Sequence, residues 1–248
     1  MLMDERKKFA KQAIDYSIYL LTDDACLKGR PLLACVEQAL QGGVTLVQYR
    51  SKFKDGGPMY EEALTLKALC DRYNVPLIIN DRVDVALAVG AAGVHVGQDD
   101  LPCSVVRNLV GADFIIGVSA HNPAEALRAI ADGADYLGCG AVFGTATKPG
   151  VAKMGLENLR AIRRVATKPG VAKLGLANLQ AIRSVATIPM VGIGGVNASN
   201  YAEVLATGAN GAAIISGILA AEDIKTEVGK FVAVKSVNNV TVSGAAKK

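Results

Sequence analysis

Short apolar runs rich in β-branched residues recur along the chain, and each is followed by a stretch whose apolar residues return every three to four positions. The runs at 17–22, 45–49, 77–80, 93–96, 114–118, 136–142, 190–193 and 212–216 predict strands, because such side chains fit a pleated, buried surface. The segments between them predict helices. Over 31–41 the apolar face is Leu32, Leu33, Val36, Ala39 and Leu40, and over 59–73 it is Leu64, Leu66, Ala68 and Leu69. The same pattern holds over 83–89, 102–109, 123–131 and 198–205, and a helix-like stretch at 4–14 is a candidate cover for one end of the fold. Gly42-Gly43, Gly90, Gly111, Gly133 and Gly208 stand just past helices, where a left-handed residue ends the last turn. Eight strands alternating with helices close most economically into one parallel (β/α)8 TIM barrel.

Seven of the eight strand segments end in a polar or glycine-rich cluster: 48–52, 80–81, 97–100, 119–121, 145–148, 192–195 and 215–217. Barrel chemistry collects on the loops that leave the strand C-termini. Gln48, Arg50 and Lys52 alternate with period two, so a strand that continued past the rim would aim them the same way. Arginine grips phosphate oxygens in a planar fork and lysine adds a mobile charge; the plainer reading is a solvated strand end. Asn80-Asp81 and Asp100 end successive strands. Two carboxylates on neighbouring loops suit a magnesium ion that is also held by phosphate oxygens and water, whereas either aspartate alone would more often cap the next helix.

His95 lies within a strand and reads as a packed or hydrogen-bonded core residue. Ser119 and His121 stand at a strand end, yet no G-x-S-x-G elbow accompanies them, so Ser119 reads as a hydrogen-bonding contact to substrate rather than a nucleophile. Thr145, Thr147 and Lys148 put hydroxyls and an ammonium beside Pro149-Gly150, an anion-binding loop. Gly194-Gly195 and Ile215-Ser216-Gly217 leave the last two strands, where barrels bind phosphate with backbone N–H groups.

One segment breaks the barrel pattern. Residues 147–166 and 167–186 repeat each other and differ at four positions only: Met154/Leu174, Glu157/Ala177, Arg160/Gln180 and Arg164/Ser184. Two copies do not make a solenoid, so the repeat reads as a tandem duplication of one loop and helix between strands 6 and 7. Residues 157, 160 and 164 share a helical face, and their loss of charge in the second copy reads as drift at solvent-exposed positions. The first copy, joined directly to strand 6, is expected to form the outer helix, with the second copy displaced toward the barrel bottom.

The length of 248 residues suits one barrel domain, and no linker or charge block divides it. The net charge of +4 comes from scattered residues without aromatic interleaving, so neither nucleic acid nor a membrane is an expected partner; small phosphorylated molecules are, and self-association stays open. Five cysteines without a C-x-x-C pair argue against disulfide or zinc frameworks and for a reducing cytoplasm. The first eight residues do not read as a signal peptide.

Taken together, Q-Y-R-S-K, N-D-R, H-V-G-Q-D-D, G-V-S-A-H, T-A-T-K and V-G-I-G-G resemble the motifs of the thiamin-phosphate synthase family, in family order, from about residue 16 to 219 with one repeat copy set aside. The resemblance implies a transferase that joins a hydroxymethylpyrimidine diphosphate to a thiazole phosphate. It implies that residues 48–52, Asn80, Ser119 and Lys148 hold the diphosphate, with Asp81 and Asp100 carrying Mg2+. Thr145 to Thr147, Gly195, Ile215 and Ser216 would hold the thiazole phosphate, and Arg50, Lys52, Ser119 and Lys148 would be the catalytic set. Three other readings stand beside it: a related thiazole tautomerase using His121 as a proton shuttle, a scaffold whose site the repeat has spoiled, and another phosphate-handling barrel enzyme.

Overall fold

The computed structural model describes residues 9–144 and 175–245. In chain order, β1 (Ile18–Leu21) leads through α1 (Asp24–Leu27) and α2 (Leu32–Gly42) to β2 (Leu46–Tyr49), α3 (Gly56–Arg72) and β3 (Leu77–Asn80). Next come α4 (Val83–Val89), β4 (Gly93–Val96), α5 (Cys103–Val110), β5 (Ile115–Ala120), α6 (Pro123–Ala131) and β6 (Tyr136–Gly140). The chain continues through α7 (Leu176–Val185), β7 (Met190–Ile193), α8 (Tyr201–Ala206), β8 (Gly211–Ile214), α9 (Ser216–Leu219) and α10 (Ile224–Ala245). The eight strands pair in parallel in sequence order, and β8 closes on β1. This is the expected barrel.

Alternation along each strand separates two cores. Tyr19, Leu21, Leu46, Ile78, Ile115, Tyr136, Val191 and Ala213 cluster together inside the barrel. Ile18, Leu20, Val47, Leu77, Ile79, Val94, Ile116 and Leu137 face the helices. Strand glycines make room for the interior rings. A Cβ on Gly117 would lie 2.1 Å from the Tyr136 ring, and one on Gly138 would lie 2.9 Å from the His95 ring. At the strand N-terminal end, Ile14 packs beneath the inner cluster and Lys11 pairs with Asp135 at 2.9 Å, so the segment 11–14 covers this end of the barrel.

The helix α10 was not among the sequence-derived elements. It buries Ile224, Val228 and Phe231 and lies against α2, where a Cβ on Gly42 would meet Val228 at 2.7 Å. The strand β2 ends at Tyr49. The expectation that it runs on to aim Gln48, Arg50 and Lys52 alike is therefore corrected: Gln48 belongs to the strand, and the two cations belong to the loop.

The repeat brings the larger correction. The helix α7 belongs to the second copy, and it packs on α6 and β6 with Leu179 and Ile182 buried. The second copy, not the first, therefore fills the outer position after strand 6; the first copy lies outside the described residues. Ala177, Gln180 and Ser184 are all exposed on α7, so the lost charges cost no packing and the face was not changed for burial. All five cysteines are free, and among the described residues no helix is long and apolar enough to cross a membrane.

Candidate active site

A cavity open to solvent occupies the strand C-terminal face of the barrel. Its wall includes Tyr19, Gln48, His95, Ser119, His121, Gly195, Ile215 and Ser216. Five strands contribute a continuous hydrogen-bonded chain across its floor. Gln48 Nε2 donates to Tyr19 Oη at 2.6 Å, Tyr19 Oη lies 2.8 Å from Tyr136 Oη, and Tyr136 Oη lies 3.0 Å from His95 Nδ1. His95 Nε2 then meets Ser119 Oγ at 3.0 Å. Burial pushes the phenols of Tyr19 and Tyr136 well above their ordinary value, so both remain protonated. Such a hydrogen-bonded chain orders its members, and it fixes Ser119 at the wall. Gln48 is 1% exposed, and its buried Oε1 has no hydrogen-bond partner among the described residues.

The charged residues stand beside this cavity on the loops after β1 to β4. Asp23 accepts from Arg50 Nη1 at 2.6 Å through Oδ2, while its Oδ1 caps α1 by accepting from the Ala25 N–H. Thr22 Oγ1 also accepts from the Arg50 N–H at 2.9 Å. The arginine is thus clamped at backbone and side chain by the end of β1. Lys52 Nζ lies 2.6 Å from Asp81 Oδ2. Asp81 has φ 62, in the left-handed region that aspartate tolerates better than most residues. The helix α4 that follows starts without a side-chain cap, so Asp81 is not spent as a helix cap.

Asp100 accepts from the Gly97 N–H at 2.7 Å and caps no helix either. Its carboxyl is raised above the ordinary range, by burial first and also by the facing carboxylate of Asp81, against the opposing pull of Gly97. The two aspartates expected to act together are therefore neighbours. Asn80 ends β3 opposite His95 in the strand register. Among the described residues no three His, Cys, Asp or Glu side chains gather as a ready-made metal cage.

On the other side, Gly194 and Gly195 have φ 97 and 64. A Cβ on Gly195 would lie 2.5 Å from the Gly144 carbonyl oxygen, and one on Gly217 would lie 2.4 Å from the Val196 carbonyl. Loops after β6, β7 and β8 thus touch backbone to backbone, which only glycine allows. Ile215 and Ser216 line the cavity as expected. Thr145, Thr147 and Lys148 lie outside the described residues.

The structure brings Gln48, Ser119, Gly195, Ile215 and Ser216 to one cavity wall, and sets Arg50, Lys52, Asp81 and Asp100 in paired contacts on the adjoining loops. His95 is a buried, hydrogen-bonded core residue as expected, and its Nε2 meets Ser119. The His121 N–H and ring both contact Glu125 Oε2 at 2.8 Å, within the capped start of α6. Burial would raise Glu125, but these His121 contacts hold its carboxyl below the ordinary range. Tyr19, Tyr136 and Asp23 escaped the sequence analysis. Their only signal was an aromatic residue inside each of two strands and an aspartate just past the first. Burial pushes the thiols of Cys70 and Cys139 up to about 12.

The sequence model of the family described as "Thiamine monophosphate synthase" matches residues 18–173 and again 161–218, overlapping inside the repeat. The chain is 46% identical over 225 residues to a thiamine-phosphate synthase of Chloroflexus aurantiacus, covering 90% of this chain and 94% of that one. It is 44% identical to a thiamine-phosphate synthase of Ruminiclostridium cellulolyticum, covering 89% and 96%. Among solved structures, a thiamine phosphate pyrophosphorylase from Pyrococcus furiosus superposes with a TM-score of 0.76 at 35% identity, covering 90% of this chain and 96% of that one.

Proposed function

The chain belongs to the thiamine monophosphate synthase family, and from that premise we propose that it joins a hydroxymethylpyrimidine diphosphate to a thiazole phosphate and releases pyrophosphate. The observation that carries this reading is the division of the barrel mouth. A polar floor ending at Gln48 and Ser119 has loops of paired charges beside it, and glycine-rich loops after β7 and β8 form the opposite wall.

In the reaction, the bond from the pyrimidine methylene to the diphosphate oxygen breaks, and its electron pair leaves on pyrophosphate. The lone pair of the thiazole nitrogen forms the new carbon–nitrogen bond. That nitrogen carries no proton, so no general base is required. Arg50, fixed by Asp23, and Lys52 are placed to stabilise charge that develops on the departing group, the kind of preorganised contact that acts most strongly in a transition state. Lys148 and Asn80 would join them on the diphosphate. Gln48, with its unpartnered oxygen, and Ser119, held by His95, would orient the first substrate at the floor. Gly195, Ile215 and Ser216, with Thr145 and Thr147, would hold the thiazole phosphate, so that the two rings meet by positioning.

Asp81 and Asp100 fit magnesium: they are adjacent, neither caps a helix, and their mutual repulsion is the kind a hard cation relieves. When bound, Mg2+ would neutralise charge on the diphosphate. Lys52, now on Asp81, would then be released toward the phosphate oxygens.

Incubation with both substrates and magnesium tests the proposal. Thiamin phosphate and pyrophosphate should both appear. Thermal stabilisation by the substrates without product would make the chain a non-catalytic scaffold, and turnover of the thiazole phosphate alone by a metal-free isomerisation would favour the tautomerase.

A further inference from the structure

We propose that the segment from Asp23 to Arg30 is a bracket that positions both halves of the mouth from outside it. Asp23 sets Arg50 on the diphosphate side, and Arg30 sets the loop after β8 on the thiazole phosphate side. The inference rests on the proposed coupling reaction for the identity of the two substrates. Neither Asp23 nor Arg30 is among the residues lining the cavity, so both are positioning residues.

The loop after β8 depends on outside support. Ile215 and Ser216 line the cavity at the start of α9, a helix of four residues. One turn makes too few hydrogen bonds to hold itself. It is pinned at its start, where a Cβ on Gly217 would lie 2.4 Å from the Val196 carbonyl, and its Ile218 and Leu219 side chains are fully buried. The last carbonyls of a helix lack partners within it, and here Arg30 supplies the donors. Its Nη2 donates to the Leu219 carbonyl, and its Nη1 donates to the Ala221 carbonyl at 2.7 Å. Its Nε donates to the Leu27 carbonyl, the end of α1, at 3.0 Å. One planar guanidinium thus joins α1 to the end of α9, which the single ammonium of a lysine cannot reproduce.

The local chain is shaped to present that group. Lys28 and Gly29 have φ 54 and 80, so two left-handed residues end α1 and turn the chain back. The Arg30 N–H then also donates to the Leu27 carbonyl at 3.1 Å. At the other end of α1, Asp23 divides its carboxylate. Its Oδ1 accepts from the Ala25 N–H at 3.1 Å, and its Oδ2 accepts from Arg50 at 2.6 Å. The Asp23 and Arg50 side chains are only 11% and 16% exposed, so solvent screens the pair little. A single short helix therefore carries one contact toward each half of the mouth.

Two variants separate the halves. Asp23→Asn keeps the cap on α1, since asparagine caps as well as aspartate, and takes the carboxylate from Arg50. It should lose about 10-fold or more in turnover and bind thiazole phosphate as the parent does. Arg30→Gln should weaken thiazole phosphate binding by about 10-fold or more, the scale of a misplaced contact, and reach parental turnover at saturation. Arg30→Lys should fall between Arg30→Gln and the parent. Binding is read by calorimetry with saturating pyrophosphate and magnesium, a mixture that cannot react. A parent that binds thiazole phosphate but forms no product removes the reaction alone. Arg30 is then still judged by thiazole phosphate binding, and Asp23 by weaker pyrophosphate binding in Asp23→Asn. Four results overturn the proposal: Arg30→Gln binding thiazole phosphate like the parent, both variants lowering the same quantity alike, a parent that binds no thiazole phosphate, or loss of fold in both Arg30→Gln and Arg30→Lys, which would make Arg30 a residue of stability alone.

Discussion

Asp81 carries three constraints at one residue: a left-handed backbone, a 2.6 Å contact to Lys52 and a facing carboxylate at Asp100. An asparagine in its place would satisfy the first, since that side chain tolerates the left-handed region well. The lost pair to Lys52, whose side chain is 45% exposed, is worth little to stability. Asp81→Asn should therefore melt like the parent while losing roughly 100-fold or more in turnover, the scale expected when a positioned charge contact is removed. Part of that loss should return at high magnesium. Rate measured against magnesium concentration checks this, and normal rates at limiting magnesium would remove Asp81 from the metal site. Asp81 and Asp100 could be picked out in the sequence because Asp81 directly follows β3 and Asp100 stands in the short loop after β4. Tyr19 and Tyr136 were not, because their contact spans 117 positions and only barrel closure brings them together. Asp23 was hidden for the same reason: its partner Arg50 sits on another loop, and nothing local separates a clamp from a helix cap.

At the scale of elements, the strands were readable because short runs of buried residues stand out between polar loops, as at Gly93–Val96. The boundary error at β2 arose where the loop keeps a period-two polar pattern although the strand has ended. The assignment of the outer helix after β6 could not be read at all. Both copies carry the same leucines, isoleucine, asparagine and arginine at matching positions, so pattern alone cannot choose between them. The four differences between the copies include three exposed positions of α7, which pack on nothing and so do not choose either. It follows that Ala177→Glu, Gln180→Arg and Ser184→Arg together, which write the first copy's face onto α7, should change stability by no more than about 0.5 kcal/mol per site. Denaturant unfolding measures this; a loss of several kcal/mol would show that the face is packed.

The whole molecule joins a rigid interior to adjustable loops. Gly117 and Gly138 let Tyr136 and His95 cross the barrel, and the resulting polar chain anchors Ser119 at the floor of the mouth. The loops around it carry paired charges on one side and glycine contacts on the other. The family relationship names the coupling that such a mouth would perform. The most direct measurement is the stoichiometry of a single reaction mixture containing both substrates and magnesium, with pyrophosphate and thiamin phosphate quantified together over time. The account predicts that the two products appear in equal amounts and that neither forms when the thiazole phosphate is omitted. Sustained pyrophosphate release without thiamin phosphate, or no pyrophosphate at all, would contradict it.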